Sequence, residues 1–341
     1  MPDATTATSS LPLTERPRRL RRSAGLRRVA RETRLSVDNL IAPLFVKDGI
    51  TEPEAIDSMP GQYRLPVSHL VKEARELFDL GVPAIALFPA VDDTLKTPDA
   101  ANALAENGLY PRAICALKEE VPEMLIITDT ALDPYSSDGH DGIVAGGEIL
   151  NDATIHVMTE IAVLHASCGA DIIAPSDMMD GRVGAIRHAL DAAGFEQTGI
   201  LSYTAKYASA YYGPFRDALD SAPRQRTDIP EDKRSYQMDP ANSDEALREL
   251  RLDLEEGADM VMVKPALPYL DVIHRVRQAS DVPVAAYNVS GEYAMLHAAA
   301  QNGWLELQPT AMEALTAIRR AGADAILTYF AKHAARWLQE G

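Results

Sequence analysis

Two lysines close apolar runs in this sequence, Lys206 at the end of "GILSYTAK" and Lys264 in "ADMVMVKP". An ammonium that follows several apolar positions must either reach solvent or lose its proton, because burial penalises the charged form. A neutral amine attacks carbonyl carbons, so Lys264 suits imine chemistry, and a strand-tip lysine that only reaches water is the competing reading. If the two runs are neighbouring strands, their ends lie roughly 5 Å apart and both amines enter one cavity. Like charges there lower proton affinity further, which favours an amine mechanism more than either lysine alone does.

A second concentration of reactive groups is "ITDTALDPYSSDGHDGIV", residues 127–144, with Asp129, Asp133, Asp138, His140 and Asp141. By themselves these residues leave metal binding, proton transfer and plain loop polarity all open. Between the lysines, residues 207–237 mix prolines, aromatics and basic groups with only broken helical periodicity. So long a connection reads as a lid or binding loop. Arg216 and Lys233 within it are placed to hold a substrate carboxylate, the alternative being solvated loop charges.

The elements that must carry these groups are short, near-continuous apolar runs at 39–46, 82–89, 124–130, 169–176, 199–205, 258–265, 282–289 and 323–330. Runs of this kind, rather than alternating ones, are how strands of a parallel sheet covered on both faces read. Helical patterns with i, i+3, i+4 apolar spacing lie between them, such as "VSHLVKEARELFDLG" and "SDEALRELRLDLEEG", and several end at a glycine. Eight alternations with no G-x-G-x-x-G after the first strand favour a closed (β/α)₈ TIM barrel over an open sheet. The barrel is expected over 35–341, with "FAKHAARWLQ" as its closing helix. In such barrels chemistry sits at the C-terminal strand ends, which here carry Lys47 or Asp48, Pro89, Asp129, Ser176, Lys206, Lys264, Ser290 after Tyr287, and Tyr329.

The net charge of −17 is unevenly distributed. Residues 1–34 hold nine arginines against three acids, a balance of +6, which leaves −23 on the rest. An acidic body repels phosphates, so this extended N-terminal arm is expected to lie on a neighbouring subunit rather than on nucleic acid. No window has the apolar length of a membrane span, nor does the N-terminus carry a secretory core, so a cytoplasmic protein is expected. Cys115 and Cys168 have no metal or disulfide spacing and read as small core residues.

The ordered blocks "APSDMMDGRVGAIR", "SYTAKYASAYYGPFRDA", "YQMDPANSDEALRE", "EEGADMVMVKPALPYLDVI", "AYNVSGEYAML" and "ILTYFA" closely resemble the porphobilinogen synthase (5-aminolevulinate dehydratase) family, over nearly the whole chain beyond about residue 15. The resemblance implies a cytoplasmic lyase of tetrapyrrole synthesis that condenses two 5-aminolevulinate molecules with loss of two waters. It further implies that Lys206 and Lys264 are the imine-forming pair and that Asp129 polarises the reacting amino group. By the same resemblance Arg216 and Lys233 hold one substrate carboxylate, Ser290 and Tyr329 hold the other, and Ser176, Tyr212, Phe215, Gln237 and Tyr287 line the pocket. It implies no organic cofactor, and self-association to a homo-octamer through the N-terminal arms.

On metals the chain departs from one branch of the family. Zinc-dependent members carry three cysteines where this sequence has Ala131, Asp133 and Asp141. Oxygen ligands disfavour zinc, so no catalytic zinc is expected, and Asp133 and Asp141 would hold magnesium weakly or no metal at all. In magnesium-stimulated members a glutamate away from the active site binds hydrated Mg²⁺. The matching residue is Glu249, with Asp180 and Asp253 behind it and Arg16 or a neighbour reaching across from another subunit. Asp138 and His140 acquire no role from sequence.

Overall fold

The computed structural model describes residues 13–340, and the chain divides into a unit ending at Arg34 and a unit beginning at Leu35. The first unit contains a 3-10 turn, Pro17–Arg21, and a short helix, Ala24–Val29, capped by the Ser23 hydroxyl accepting the Leu26 amide. Leu20 and Val29 are exposed on it. Residues 1–12, the beginning of the expected basic arm, lie outside the described residues.

The second unit is built on eight parallel strands. They are β1 (Leu40–Lys47), β2 (Ala84–Ala90), β3 (Leu125–Thr130), β4 (Ile172–Pro175), β5 (Gly199–Lys206), β6 (Met260–Lys264), β7 (Val284–Asn288) and β8 (Ala325–Thr328). Each pairs with the next in chain order, and β8 pairs with β1 through Leu40↔Ile326, which closes the barrel. The expected (β/α)₈ TIM barrel is the observed fold. Its strands read as continuous apolar runs because helices cover one face and the barrel interior the other; β2 is buried at every position.

Helices Val67–Asp79, Asn151–Ser167, Arg182–Ala192, Asp244–Glu255, Leu270–Ala279, Leu307–Ala321 and Ala331–Glu340 match the periodic segments. Gly257, at φ 101°, ends Asp244–Glu255 in the left-handed conformation that returns the chain to β6. Two of the longer helices among the described residues were not legible. Leu109–Glu120 has Pro111 in its first turn, where a missing N–H leaves no intrahelical bond unmade. Ser290–Gln301 is mostly small and apolar all round, so no stripe marks it.

Two short strands, Glu54–Ala55 and Tyr63–Leu65, extend the sheet beside β1, and Val144–Ala145 with Glu148–Ile149 forms a separate ribbon. Cys115 corrects the expectation of a core position, being exposed on the helix Leu109–Glu120, whereas Cys168 is half-buried and packs against the core.

Candidate active site

Lys206 and Lys264 occupy the last positions of β5 and β6 and are register partners. Parallel pairing therefore delivers both amines to one end of the barrel, yet their surroundings differ. Lys206 Nζ lies 3.0 Å from Asp141 Oδ2 and donates to the Ser176 carbonyl. Lys264 has no ion pair among the described residues and sits in an aromatic cage. Its Nζ is 4.7 Å from the Tyr287 ring centre, 4.9 Å from Phe215, and 5.1 Å from Tyr203 and Tyr212. Burial, with Lys206 adding to it, pushes the Lys264 amine down to about 7. The cage favours a cation, but losing water outweighs it.

Asp129, near the end of β3, is buried within reach of both lysine charges, and burial raises it to about 7 against their opposing effect. A carboxyl poised there exchanges protons near neutrality. Ser176, at the mouth of β4, places its hydroxyl at the Asp129 carboxyl and its carbonyl on Lys206.

Residues 207–237 cover the strand ends. Tyr212 closes a 3-10 turn, and Phe215 and Arg216 lie on the short helix Gly213–Leu219. Lys233 is buried, with Nζ 2.7 Å from Asp141 Oδ1 and 3.3 Å from Asp133 Oδ2. Asp141 thus bridges Lys206 and Lys233. Burial alone would raise its pKa, but the two ammonium groups hold it well below the usual carboxylate range. Burial would lower Lys233, and Asp133 and Asp141 raise it instead. Arg216 makes no ion pair among the described residues; its charge reaches Tyr212, Lys233 and Tyr236. Gln237 donates to Asp141 at 3.4 Å, while its Oε1 is buried without a partner, an acceptor free for a substrate donor.

On the opposite side, the Tyr287 and Tyr329 hydroxyls are 2.9 Å apart, and the Ser290 hydroxyl accepts the Phe215 amide at 3.0 Å. Every residue expected to line the pocket is therefore in one of two groups, one around Lys206 and one around Lys264.

The structure also assigns contacts to Asp138 and His140. Asp138 pairs with Arg226 at 2.7 Å, and its carbonyl accepts the Arg224 amide. His140 Nε2 donates to the Pro230 carbonyl at 2.9 Å, which leaves Nδ1 to accept from the Tyr236 hydroxyl at 3.1 Å. That hydroxyl in turn accepts the Asp141 amide at 3.2 Å. Burial lowers His140, in keeping with the neutral ring this chain of bonds requires. Gly139 has φ 73°, and a Cβ there would lie 2.1 Å from the Ala222 carbonyl, so loop and lid touch backbone to backbone. Tyr203, Tyr236 and these clasp contacts were missed in sequence, since each depends on partners far along the chain.

The candidate metal donors fall in two places. Asp133 and Asp141 face the Lys233 ammonium, and their oxygen-only donor set does not fit a thiolate zinc site. Glu249 lines a different cavity of about 700 Å³ with Asp180, Glu245 and Asn242. Burial raises Glu249, and Asp253, Asp180 and Glu245 push it further. Among the described residues no three or more His, Cys, Asp or Glu side chains are grouped closely enough to hold a metal ion directly, so a cation at Glu249 would have to keep most of its water ligands. Asp253 does not line that cavity: it is turned inward, accepting from Ser202 at 2.6 Å beside the buried Arg182.

The family model for delta-aminolevulinic acid dehydratase matches residues 14–337. The chain belongs to the delta-aminolevulinic acid dehydratase family. It is 52% identical over 337 residues to the dehydratase of Bradyrhizobium diazoefficiens, covering 99% of this chain and 94% of that protein. It is 54% identical to the dehydratase of Synechocystis sp., covering 96% and 99%, and 54% identical to the chloroplastic dehydratase of Glycine max, covering 99% and 81%. The crystal structure of the Toxoplasma gondii dehydratase in complex with the product porphobilinogen superposes with a TM-score of 0.94 at 52% identity, covering 97% of this chain and 93% of that one. As a delta-aminolevulinic acid dehydratase the chain is a lyase acting in tetrapyrrole biosynthesis. Enzymes of the family depend on metal ions. No helix among the described residues is long and apolar enough to cross a membrane.

Proposed function

We propose that the chain joins two 5-aminolevulinate molecules through one imine on Lys264 and one on Lys206, with Lys264 reacting first. The pairing of Lys206 with Lys264 across β5 and β6 carries this reading. At neutral pH a large fraction of Lys264 is free amine, and it attacks the ketone carbon of the first substrate; loss of water forms the imine. Lys206, held by Asp141 and the Ser176 carbonyl, takes the second molecule.

An imine acidifies the neighbouring carbon, and Asp129, within reach of both lysine charges, is the carboxyl suited to take or return that proton. Arg216 and Lys233 bind the carboxylate of the molecule on Lys206, and Ser290 with Tyr329 binds that on Lys264. One carbon–carbon and one carbon–nitrogen bond then form, two waters leave in all, and both lysines are returned. Fixing two identical molecules in different orientations supplies most of the advantage.

A class I aldolase also uses a barrel lysine but needs only one. Borohydride added with 5-aminolevulinate should label both lysines; labelling only with a sugar phosphate would overturn the assignment.

For the metal we favour Mg²⁺ near Glu249, with Asp180 as an outer partner, away from the reacting groups. Asp253, occupied by Ser202 and Arg182, is not among the ion's partners. Ions at Asp133 and Asp141 are a weaker assignment because Lys233 already supplies positive charge. The homo-octamer joined by N-terminal arms is favoured by Leu20 and Val29, exposed apolar groups on an arginine-rich segment. We place the protein in the cytoplasm; its two free cysteines suit a reducing compartment.

A further inference from the structure

Glu292 is a fully buried carboxylate in the first turn of the helix Ser290–Gln301. Its two oxygens serve two different loops. Oε2 accepts the Val289 amide at 2.5 Å, one residue before Ser290, and Oε1 accepts the Leu267 amide, three residues beyond Lys264. One carboxyl group therefore ties the loop leaving β6 to the loop leaving β7.

No lysine, arginine or histidine pairs with it among the described residues, and burial raises it to about 7 with the Val289, Leu267 and Ala266 amides and the Asn288 side chain acting against the rise. A buried acid without a counter-ion is costly. Acceptor geometry explains its presence: its partners are N–H donors, and a carboxylate offers the Leu267 and Val289 amides one oxygen each. A glutamine of the same shape would turn an NH₂ against one of them.

The joined loops frame the Lys264 half of the pocket. The Lys264 carbonyl accepts from the Tyr207 amide at 3.0 Å and the Tyr212 hydroxyl at 3.2 Å. Ser290 holds the Phe215 amide, and the Phe215 ring faces the Lys264 amine. Lys264 on one side, and Tyr287 and Ser290 on the other, thus belong to the two segments that Glu292 joins.

We infer that Glu292 is a positioning residue that sets the spacing between the Lys264 amine and the substrate carboxylate held by Ser290 and Tyr329. It touches no substrate and acts through the Leu267 and Val289 amides. The inference rests on Lys264 forming an imine.

The test uses the full chain with Glu292→Gln, treated with 5-aminolevulinate and borohydride, with labelling of each lysine read by peptide mass mapping and folding by thermal melting. Lys264 labelling should fall about tenfold, the scale of one lost buried hydrogen bond, while Lys206 labelling stays near that of the unaltered enzyme. Labelling of Lys264 at the original rate, or an equal fall at both lysines, would overturn the clamp. An unaltered enzyme that never labels Lys264 would instead remove the imine reading beneath it. If Glu292→Gln yields no folded protein, amide exchange of the unaltered enzyme decides: Leu267 and Val289 should exchange at one common rate, and rates differing by about tenfold or more would refute a shared clamp.

Discussion

Lys206 and Lys264 are neighbours in register, yet one is ion-paired and the other is caged by aromatic rings. The same two side chains at the same height of the barrel thereby stand in unlike surroundings: Asp141 and the Ser176 carbonyl hold one amine, and four aromatic rings enclose the other.

For Lys264 the expected consequence is a pH dependence. Its folded-state pKa is near 7, and only the neutral amine attacks, so imine formation should rise roughly tenfold per unit below 7 and level off above it. Single-turnover borohydride trapping at Lys264 between pH 5.5 and 8.5 measures this; a rise that continues past pH 9 would assign the lysine an ordinary, charged environment.

Asp141→Asn should leave the Lys206 and Lys233 ammoniums without their shared partner. Removing one member of a buried ion pair costs about 3 kcal/mol, so the melting temperature should drop. Misplacing the amine and the carboxylate ligand together should reduce kcat/KM about a hundredfold or more. Calorimetry and the porphobilinogen assay check both.

The lid clasp predicts a separable effect. His140→Ala removes bonds to Pro230 and Tyr236, and Gly139→Ala pushes a Cβ onto the Ala222 carbonyl. Either change should raise KM about tenfold and expose residues 220–237 to limited proteolysis, with imine chemistry at saturating substrate less affected. Unchanged proteolysis would show that the lid is held elsewhere.

Chelation followed by Mg²⁺ should restore activity in the unaltered enzyme, and Zn²⁺ should not. Glu249→Gln should lose the Mg²⁺ response while keeping the activity seen after chelation. Full recovery by zinc alone would contradict the oxygen-ligand assignment.

His165 predicts an acid limb of stability. It is fully buried against Tyr110, neither ring nitrogen has a partner, and burial lowers it to about 3. Above its unfolded value near 6.5 both states are neutral and nothing is lost. As pH falls from there toward 3 only the unfolded chain binds the proton, so stability declines by up to about 1.4 kcal/mol per unit. His165→Phe should flatten the decline in melting temperature between pH 7 and pH 5.

The strands and both lysines were legible in the sequence because their signals are local: a continuous apolar run marks a strand covered on both faces, and a polar residue at its end marks the barrel mouth. Tertiary structure decided what those groups feel. Asp141 faces Lys206 and Lys233 across 65 and 92 residues of chain, and Asp253 turns inward to Ser202 rather than outward to Glu249's cavity. Asp138, His140 and Glu292 found their partners only when separate loops closed over one another. A residue's type fixes which bonds it can make. Which donor or charge stands opposite it, and whether water is excluded, is set by packing between segments distant in sequence, and that packing determines the proton affinities on which the chemistry depends.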